Sequence, residues 1–433
     1  MPQPCLLHPG MIQSWNKFCH TGGVVEFSVR LPGPFNSSGL WPAVWLMGNL
    51  GRAIYTDSSE YIWPWSYDKC DSKVELDQQL INACNPNPGY GFHPNQGRGA
   101  PEIDIFEIMQ TQWKWNGIEQ YIPAYISTSY QVSPGTPFTE ITRPQVGQPV
   151  WGYTLPNGTW VSTYWYQNWT IGEGGYGDFG GFPGVYNEFY GKINGPEVDG
   201  VYGKSQRDYV QDSLSINTPI NASLWESHHT YRVEWQPEGY IDWYVDDVFL
   251  FGLPQESLTE KTGSLISVEP SYLIANIAMG TGWGINSACN VDSTCAPVCN
   301  ICMDCHNPSC QCGLPEGMQN CKMFPSEMLI DYVRIYQDKR DPLHTIGCSP
   351  PNFPTEGYIK GNPGKYVNWD PYYGFNKPID NASDDMIESS AGSPASEVFM
   401  SICVVGLLFV GYMYYQKTSN SSRMHYTELP VVK

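Results

Sequence analysis

The sequence predicts an all-β protein: an antiparallel two-sheet β-sandwich carrying long loop insertions. Three observations predict it. Charged residues make up only 15% of the chain and aromatic residues 14%, while 43 glycines and 36 prolines supply turns. Short runs alternate apolar and polar residues with a period of two. Long amphipathic helices, heptads and repeats of about 20–50 residues do not occur in the sequence.

The elements follow in order. Residues 24–31 (VVEFSVRL) alternate as a half-buried strand and stop at Pro32-Gly33-Pro34. Residues 41–47 form another, and Pro42, which lacks a backbone N–H, confines it to an edge or bulged position. Residues 51–98 are a long irregular insertion rich in Trp, Tyr, Asp and Asn, of the kind that walls a binding cleft. Trp63 and Trp65 are its candidate stacking rings; the alternative is a loop stapled through Cys70 and Cys84. The glycine-rich run 172–181 lacks a strand-then-helix frame and reads as a loop, not a phosphate cradle. Residues 231–235, 240–246 and 248–251 read as a β-meander, and 272–278 and 328–336 as two more strands. Adjacent His228 and His229 would face opposite ways on a strand, which favours structural roles. No Gly-x-Ser-x-Gly elbow supports a serine hydrolase.

The stretch with the clearest chemistry is Ala100–Met109, reading APEIDIFEIM. In a strand Glu102 and Asp104 share a face, whereas Glu107 would point to the other. One extra residue near Ile105 and Phe106, a β-bulge, would turn Glu107 back beside them. Three crowded carboxyls push their pKa values apart, so that one keeps its proton while another ionises. Retaining glycoside hydrolysis needs such a pair, about 5 Å apart. On a helix begun by Pro101, by contrast, Glu102 and Glu107 would sit about 140° apart and could not cooperate.

Glu102-Ile103-Asp104-Ile105-Phe106-Glu107 resembles the bulged active-site signature of the family 16 glycoside hydrolases. Residues 39–52 (GLWPAVWLMGNLGR) and 97–101 (GRGAP) resemble one branch of that clan, the fungal-type β-glucan-synthesis-associated membrane proteins. So do 13–19 (QSWNKFC), 63–71 (WPWSYDKCD), 228–235 (HHTYRVEW) and 330–336 (IDYVRIY). The resemblance implies a concanavalin-like jelly roll over residues 1–340. It implies Glu102 as nucleophile, Glu107 as acid/base and Asp104 as the residue that orients and balances the nucleophile. It also implies a β-glucan substrate of β-1,3/β-1,6 linkage, with Trp41, Trp45, Trp63 and Trp65 as sugar-binding rings. The expected activity is retaining glycosidase or transglycosylase; the competing expectation is a glucan-binding or assembly protein without turnover.

A net charge of −20 argues against nucleic-acid and anionic-lipid partners and suits a neutral polysaccharide. No cofactor is expected and no dedicated metal-ligand loop is visible. Fourteen cysteines and the sequons at Asn36, Asn157, Asn168, Asn221 and Asn381 favour an oxidising compartment. Met1 is followed by no signal-like segment, so a further N-terminal portion with early strands is expected upstream. Cys289, Cys295, Cys299, Cys302, Cys305, Cys310, Cys312 and Cys321 form a cluster whose spacing allows zinc, although an oxidising lumen favours four disulfides within an insertion, 289–321. Residues 341–397 read as a Pro/Gly/Asn/Asp-rich linker. Residues 398–415 carry no charge and, at ~1.5 Å per residue, just span a bilayer core as one helix. Lys417, Arg423 and Lys433 follow, so the tail 416–433 is expected in the cytoplasm and the large domain in the lumen of the secretory pathway or outside the cell.

Overall fold

The computed structural model describes residues 10–36, 39–66, 68–70, 79–110, 112–115, 118–122, 124–133, 152–154, 160–162, 212–255, 258, 264–279, 305–308, 311, 314, 317–367 and 412–414. Its strands are β1 (Gly10–Gln13), β2 (Cys19–Thr21), β3 (Gly23–Arg30), β4 (Trp41–Gly48), β5 (Glu102–Met109) and β6 (Gln112–Trp115). They continue with β7 (Ile118–Ile122), β8 (Tyr125–Val132), β9 (Gly152–Thr154), β10 (Trp160–Ser162), β11 (Asp212–Pro219) and β12 (His229–Gln236). The last are β13 (Tyr240–Val245), β14 (Val248–Pro254), β15 (Ser271–Ala278), β16 (Leu329–Gln337), β17 (Thr345–Ile346) and β18 (Tyr412–Tyr414).

Two sheets dominate. The first has the order β11-β8-β5-β4-β15-β2-β17, with β1 also paired to β15; the second has the order β14-β13-β12-β3-β16-β18. Every pairing between these strands is antiparallel except that of β16 with β18. Neighbours far apart in sequence, such as β4 with β15 and β3 with β16, give a jelly-roll-like sandwich. The core between the sheets is built from the inward positions of both. Val25, Phe27 and Val29 of β3 meet Val44 and Leu46 of β4, Ile103 and Ile108 of β5, and Tyr231, Val233 and Trp235 of β12. Each such side chain, fully buried, contributes on the order of 1.5–3 kcal/mol.

The meander is β12-β13-β14, as its alternation predicted. Pro42 meets neither of its two expectations. Strand β4 is interior, between β5 and β15, and Pro42 stands in regular register opposite Ile277 of β15; it is tolerated near the strand's start because the ladder to β5 begins only at Ala43, and the extra residue of that pairing, Ile105, belongs to β5. His229 of β12 contacts Asp246 Oδ2 through Nδ1 at 2.6 Å and Ser223 O through Nε2 at 3.0 Å, a structural tie.

The boundary expected after residue 340 lies later. Strand β17 pairs with β2, and a disulfide joins Cys19 to Cys348. Asn49 Nδ2 donates to Thr355 Oγ1 at 3.1 Å, Tyr366 Oη to Leu50 O at 2.8 Å, and Arg52 Nη1 to Tyr366 O at 2.7 Å. Residues through Val367 are thus a strap packed on the sandwich. Its anchors, Tyr358, Ile359 and Tyr366, are too sparse among polar residues to make a periodic signal. Only Tyr412–Tyr414 of the expected membrane helix is described, and it is a short strand beside β16, consistent with the β-propensity of tyrosine. Among the described residues no helix is long and apolar enough to cross a membrane. Cys70–Cys84 is a disulfide, so the staple reading of that loop holds, and Cys305 pairs with Cys321; the other cysteines of the cluster lie outside the described residues.

The insertion is locked to the sandwich by a buried ion pair. Arg98 meets Glu269 at 2.7 and 2.9 Å through Nε and Nη2, and its Nη1 donates to Pro354 O of the strap at 2.7 Å. Arg98 is 1% exposed and Glu269 4%. Replacing Arg98 alone by Met strands the Glu269 carboxylate, and the expected cost is about 3–5 kcal/mol. The double replacement Arg98→Met with Glu269→Met should recover much of that loss, which thermal denaturation of the parent and the two variants measures.

Candidate active site

Strand β5 lies between β4 and β8 in the first sheet. Glu102 stands opposite Gln131 of β8, and Asp104 opposite Ser129. The pairing then slips: against β8 the next residue in register is Glu107, opposite Ser127, while against β4 it is Phe106, opposite Val44, followed by Glu107 opposite Ala43. The irregularity spans Ile105 and Phe106, the place where one extra residue was expected to turn Glu107 back, and the helix alternative is excluded because the segment is a strand. Both are core residues, 2% and 0% exposed, and the Phe106 ring lies 4.4 Å from that of Tyr231 in the opposite sheet. The Asp104 carbonyl at the slip accepts a hydrogen bond from Trp243 Nε1 of β13 at 2.8 Å. Glu102, Asp104 and Glu107 therefore share the face turned away from the core.

The three acids are held by neutral donors. Trp63 Nε1 donates to Glu102 Oε2 at 2.7 Å, and Gln131 Nε2 donates to Glu102 Oε1 at 2.8 Å and Asp104 Oδ2 at 3.0 Å. Ser129 Oγ donates to Asp104 Oδ2, and Trp41 Nε1 to Glu107 Oε1 at 3.0 Å. Glu102 and Asp104 are also hydrogen-bonded to each other. Asp104 is 1% exposed and Glu107 8%. Burial pushes Glu102 well above the ordinary carboxylate range, the nearby charges of Asp104 and Glu107 push it further, and the Trp63 bond opposes them. Burial also raises Asp104, to about 6, against the bonds from Ser129, Gln131 and Glu102. The pair keeps a proton under conditions in which isolated carboxyls would be ionised.

Of the four tryptophans expected at the site, three are half-buried on it or beside it. Trp41 and Trp63 bond to Glu107 and Glu102, and Trp45 donates to Asn276 Oδ1 of β15 at 2.7 Å. Trp65 is the exception: it is 0% exposed and cannot offer a ring face to a sugar. It anchors its loop, because Gly99 passes so close that a Cβ there would lie 2.1 Å from Trp65 O. Gln131, Ser129 and Asn276 escaped the sequence reading. They come from strands remote from β5 in sequence, and only register brings them alongside. Among the described residues no group of three His, Cys, Asp or Glu is placed to hold a metal.

A two-sheet sandwich with a Glu-x-Asp-x-x-Glu bulge on one outer face is the arrangement that the resemblance to the family 16 glycoside hydrolases implied. The comparisons agree: residues 185–293 match the model of the glycosyl hydrolases family 16, and residues 5–148 and 316–377 match that of the β-glucan synthesis-associated proteins SKN1/KRE6/Sbg1. The chain belongs to this β-glucan-synthesis-associated branch of the family 16 clan. The candidate carboxylates fall in the second match. Over 385 residues the chain is 30% identical to the β-glucan synthesis-associated protein SKN1 of Candida albicans, covering 83% of this chain and 40% of that protein. Its identity to KRE6 of the same organism is 29%, covering 83% and 41%. The chain thus spans about two-fifths of the length of these curated relatives. The laminarinase catalytic domain of Thermotoga maritima is 17% identical, with a TM-score of 0.32 over 75% of this chain and 67% of that one, a likeness too slight to add to the sheet topology.

The raised carboxyls have a consequence for stability. Asp104 binds its proton more tightly in the fold than in the unfolded chain, so its contribution is full below about pH 4 and is lost as pH rises through about 6. Asp104→Asn should abolish that loss, leaving the variant more stable than the parent near pH 7 by on the order of 2–3 kcal/mol and nearly equal to it near pH 4. Calorimetric Tm measured across this range is the check.

Proposed function

We propose that this chain is a retaining glycosidase or transglycosylase acting on β-glucan, of the β-1,3/β-1,6 type, in glucan synthesis or wall remodelling. The observation that carries the reading is the bulge of β5, which gathers Glu102, Asp104 and Glu107 on one face. Glu102 attacks the anomeric carbon while Glu107 protonates the leaving oxygen; Glu107 then deprotonates the acceptor that resolves the glycosyl-enzyme. Glu102 attacks only when ionised, and Asp104, hydrogen-bonded to it, is the group that takes over their proton. The Trp41 indole holds the acid/base in place. Water as acceptor gives hydrolysis and a second glucan gives transfer; Trp41, Trp45 and Trp63 supply ring surface for the sugars.

A non-catalytic glucan-binding or assembly role is the second reading. It is favoured by the elevated pKa of Glu102, since a protonated carboxyl binds hydroxyls without attacking. Labelled β-1,3-gluco-oligosaccharides separate the two. The expected result is longer or branched products, reduced at least about 10²–10⁴-fold in Glu102→Gln and Glu107→Gln. Shorter products alone would mean a hydrolase, and bound oligosaccharide without products would establish the binding reading.

The uncharged run 398–415, with basic residues after it, supports a single C-terminal anchor with the large domain lumenal. Such an anchor requires Tyr412–Tyr414 to leave the edge of β16. Retention of the full chain in the membrane pellet after alkaline carbonate extraction is expected; release into the supernatant would overturn the anchor.

A further inference from the structure

Gln131 stands on β8 directly opposite Glu102 and is 3% exposed. Its amide nitrogen carries two hydrogens, and the geometry gives one to Glu102 Oε1 and the other to Asp104 Oδ2. Its carbonyl Oε1 is buried and makes no hydrogen bond among the described residues. No described residue bonds that carbonyl, and the two carboxyls orient the amide through its nitrogen. The opposite orientation would set the carbonyl oxygen against two acids.

We propose that Gln131 is a positioning residue for the double displacement: its one nitrogen holds the Glu102 and Asp104 carboxyls side by side, so that the proton they share passes to Asp104 as Glu102 attacks. The inference rests on the displacement reading above. Ser129 secures the same Asp104 oxygen from its other neighbour on β8 and leaves Glu102 untouched, so Gln131 is the bridge between the two acids. A neutral amide suits the task. It favours the anionic form of both partners through hydrogen bonds, yet cannot take the proton itself or neutralise the pair as a lysine would.

The test uses the full chain and a β-gluco-oligosaccharide with an epoxyalkyl aglycone. A Glu102 carboxylate oxygen attacks an epoxide carbon, an ester C–O bond forms, the ring C–O bond breaks, and the resulting alkoxide takes a proton from Glu107. The adduct is read by peptide mass without any need for turnover. Labelling in the parent should rise with pH along an acid limb. Gln131→Met should move that limb up by about one pH unit, which is about tenfold slower labelling on the limb, with little change above it. Gln131→Glu keeps the volume, adds a like charge and should move the limb further up; it carries the test should the methionine variant not fold. Slowing by an equal factor at every pH, or an unmoved limb, would overturn the positioning role while leaving the displacement intact. Absence of label on Glu102 in the parent, with the sugar bound, would overturn the displacement and this role with it.

Discussion

The site depends on one constraint: β5 must hold one residue more than its partners between Asp104 and Glu107. A regular strand would bury Glu107 in the sandwich and expose Phe106, an arrangement costly on both counts. The bulge reverses both. It costs a local break in the ladder, and the Asp104 carbonyl at the break is satisfied by Trp243 from the opposite sheet. Phe106 packs on Tyr231 of that same sheet. Closing the sandwich and assembling the three carboxylates are therefore the same physical event.

A second layer of contacts fixes the segments beside the acids. The Arg98–Glu269 pair fixes the chain just before β5, and Gly99 N adds a bond to Glu269 Oε1 at 3.1 Å. Ala100 N donates to Ile62 O at 3.0 Å, which fastens the tryptophan loop to the same segment. Trp65 is the buried anchor and Trp63, two residues earlier, reaches Glu102. The strap, tied through Cys19–Cys348 and the Pro354 carbonyl, braces this assembly from behind. Two tryptophans of one short motif thus have opposite duties, one structural and one at the acids.

The electrostatics follow from the donors. Indoles, an amide and a hydroxyl contact the three acids, and each is neutral. A cation in their place would lower the pKa values and discharge the cluster. Neutral donors instead orient the carboxyls while burial keeps a proton among them. That is the condition under which one carboxyl can serve as acid and another as nucleophile.

Much of this was legible in the chain itself, because strand periodicity is local. Strands β3, β5, β12, β13, β15 and β16, the spacing of Glu102, Asp104 and Glu107, and the need for a bulge at Ile105–Phe106 all follow from alternation within a few residues. Other features depend on which strands lie side by side, and separations of tens to hundreds of residues conceal them. Gln131 beneath Glu102, Asn276 beside Trp45, Trp243 on the bulge carbonyl and Cys348 on Cys19 are of this kind. The burial of Trp65 and the folding back of residues 341–367 belong with them, since burial is a property of neighbours rather than of the residue. Sequence alone determined the acids and their shared face; tertiary structure decided what holds them, because hydrogen-bond partners across a sheet are set by register and not by order along the chain.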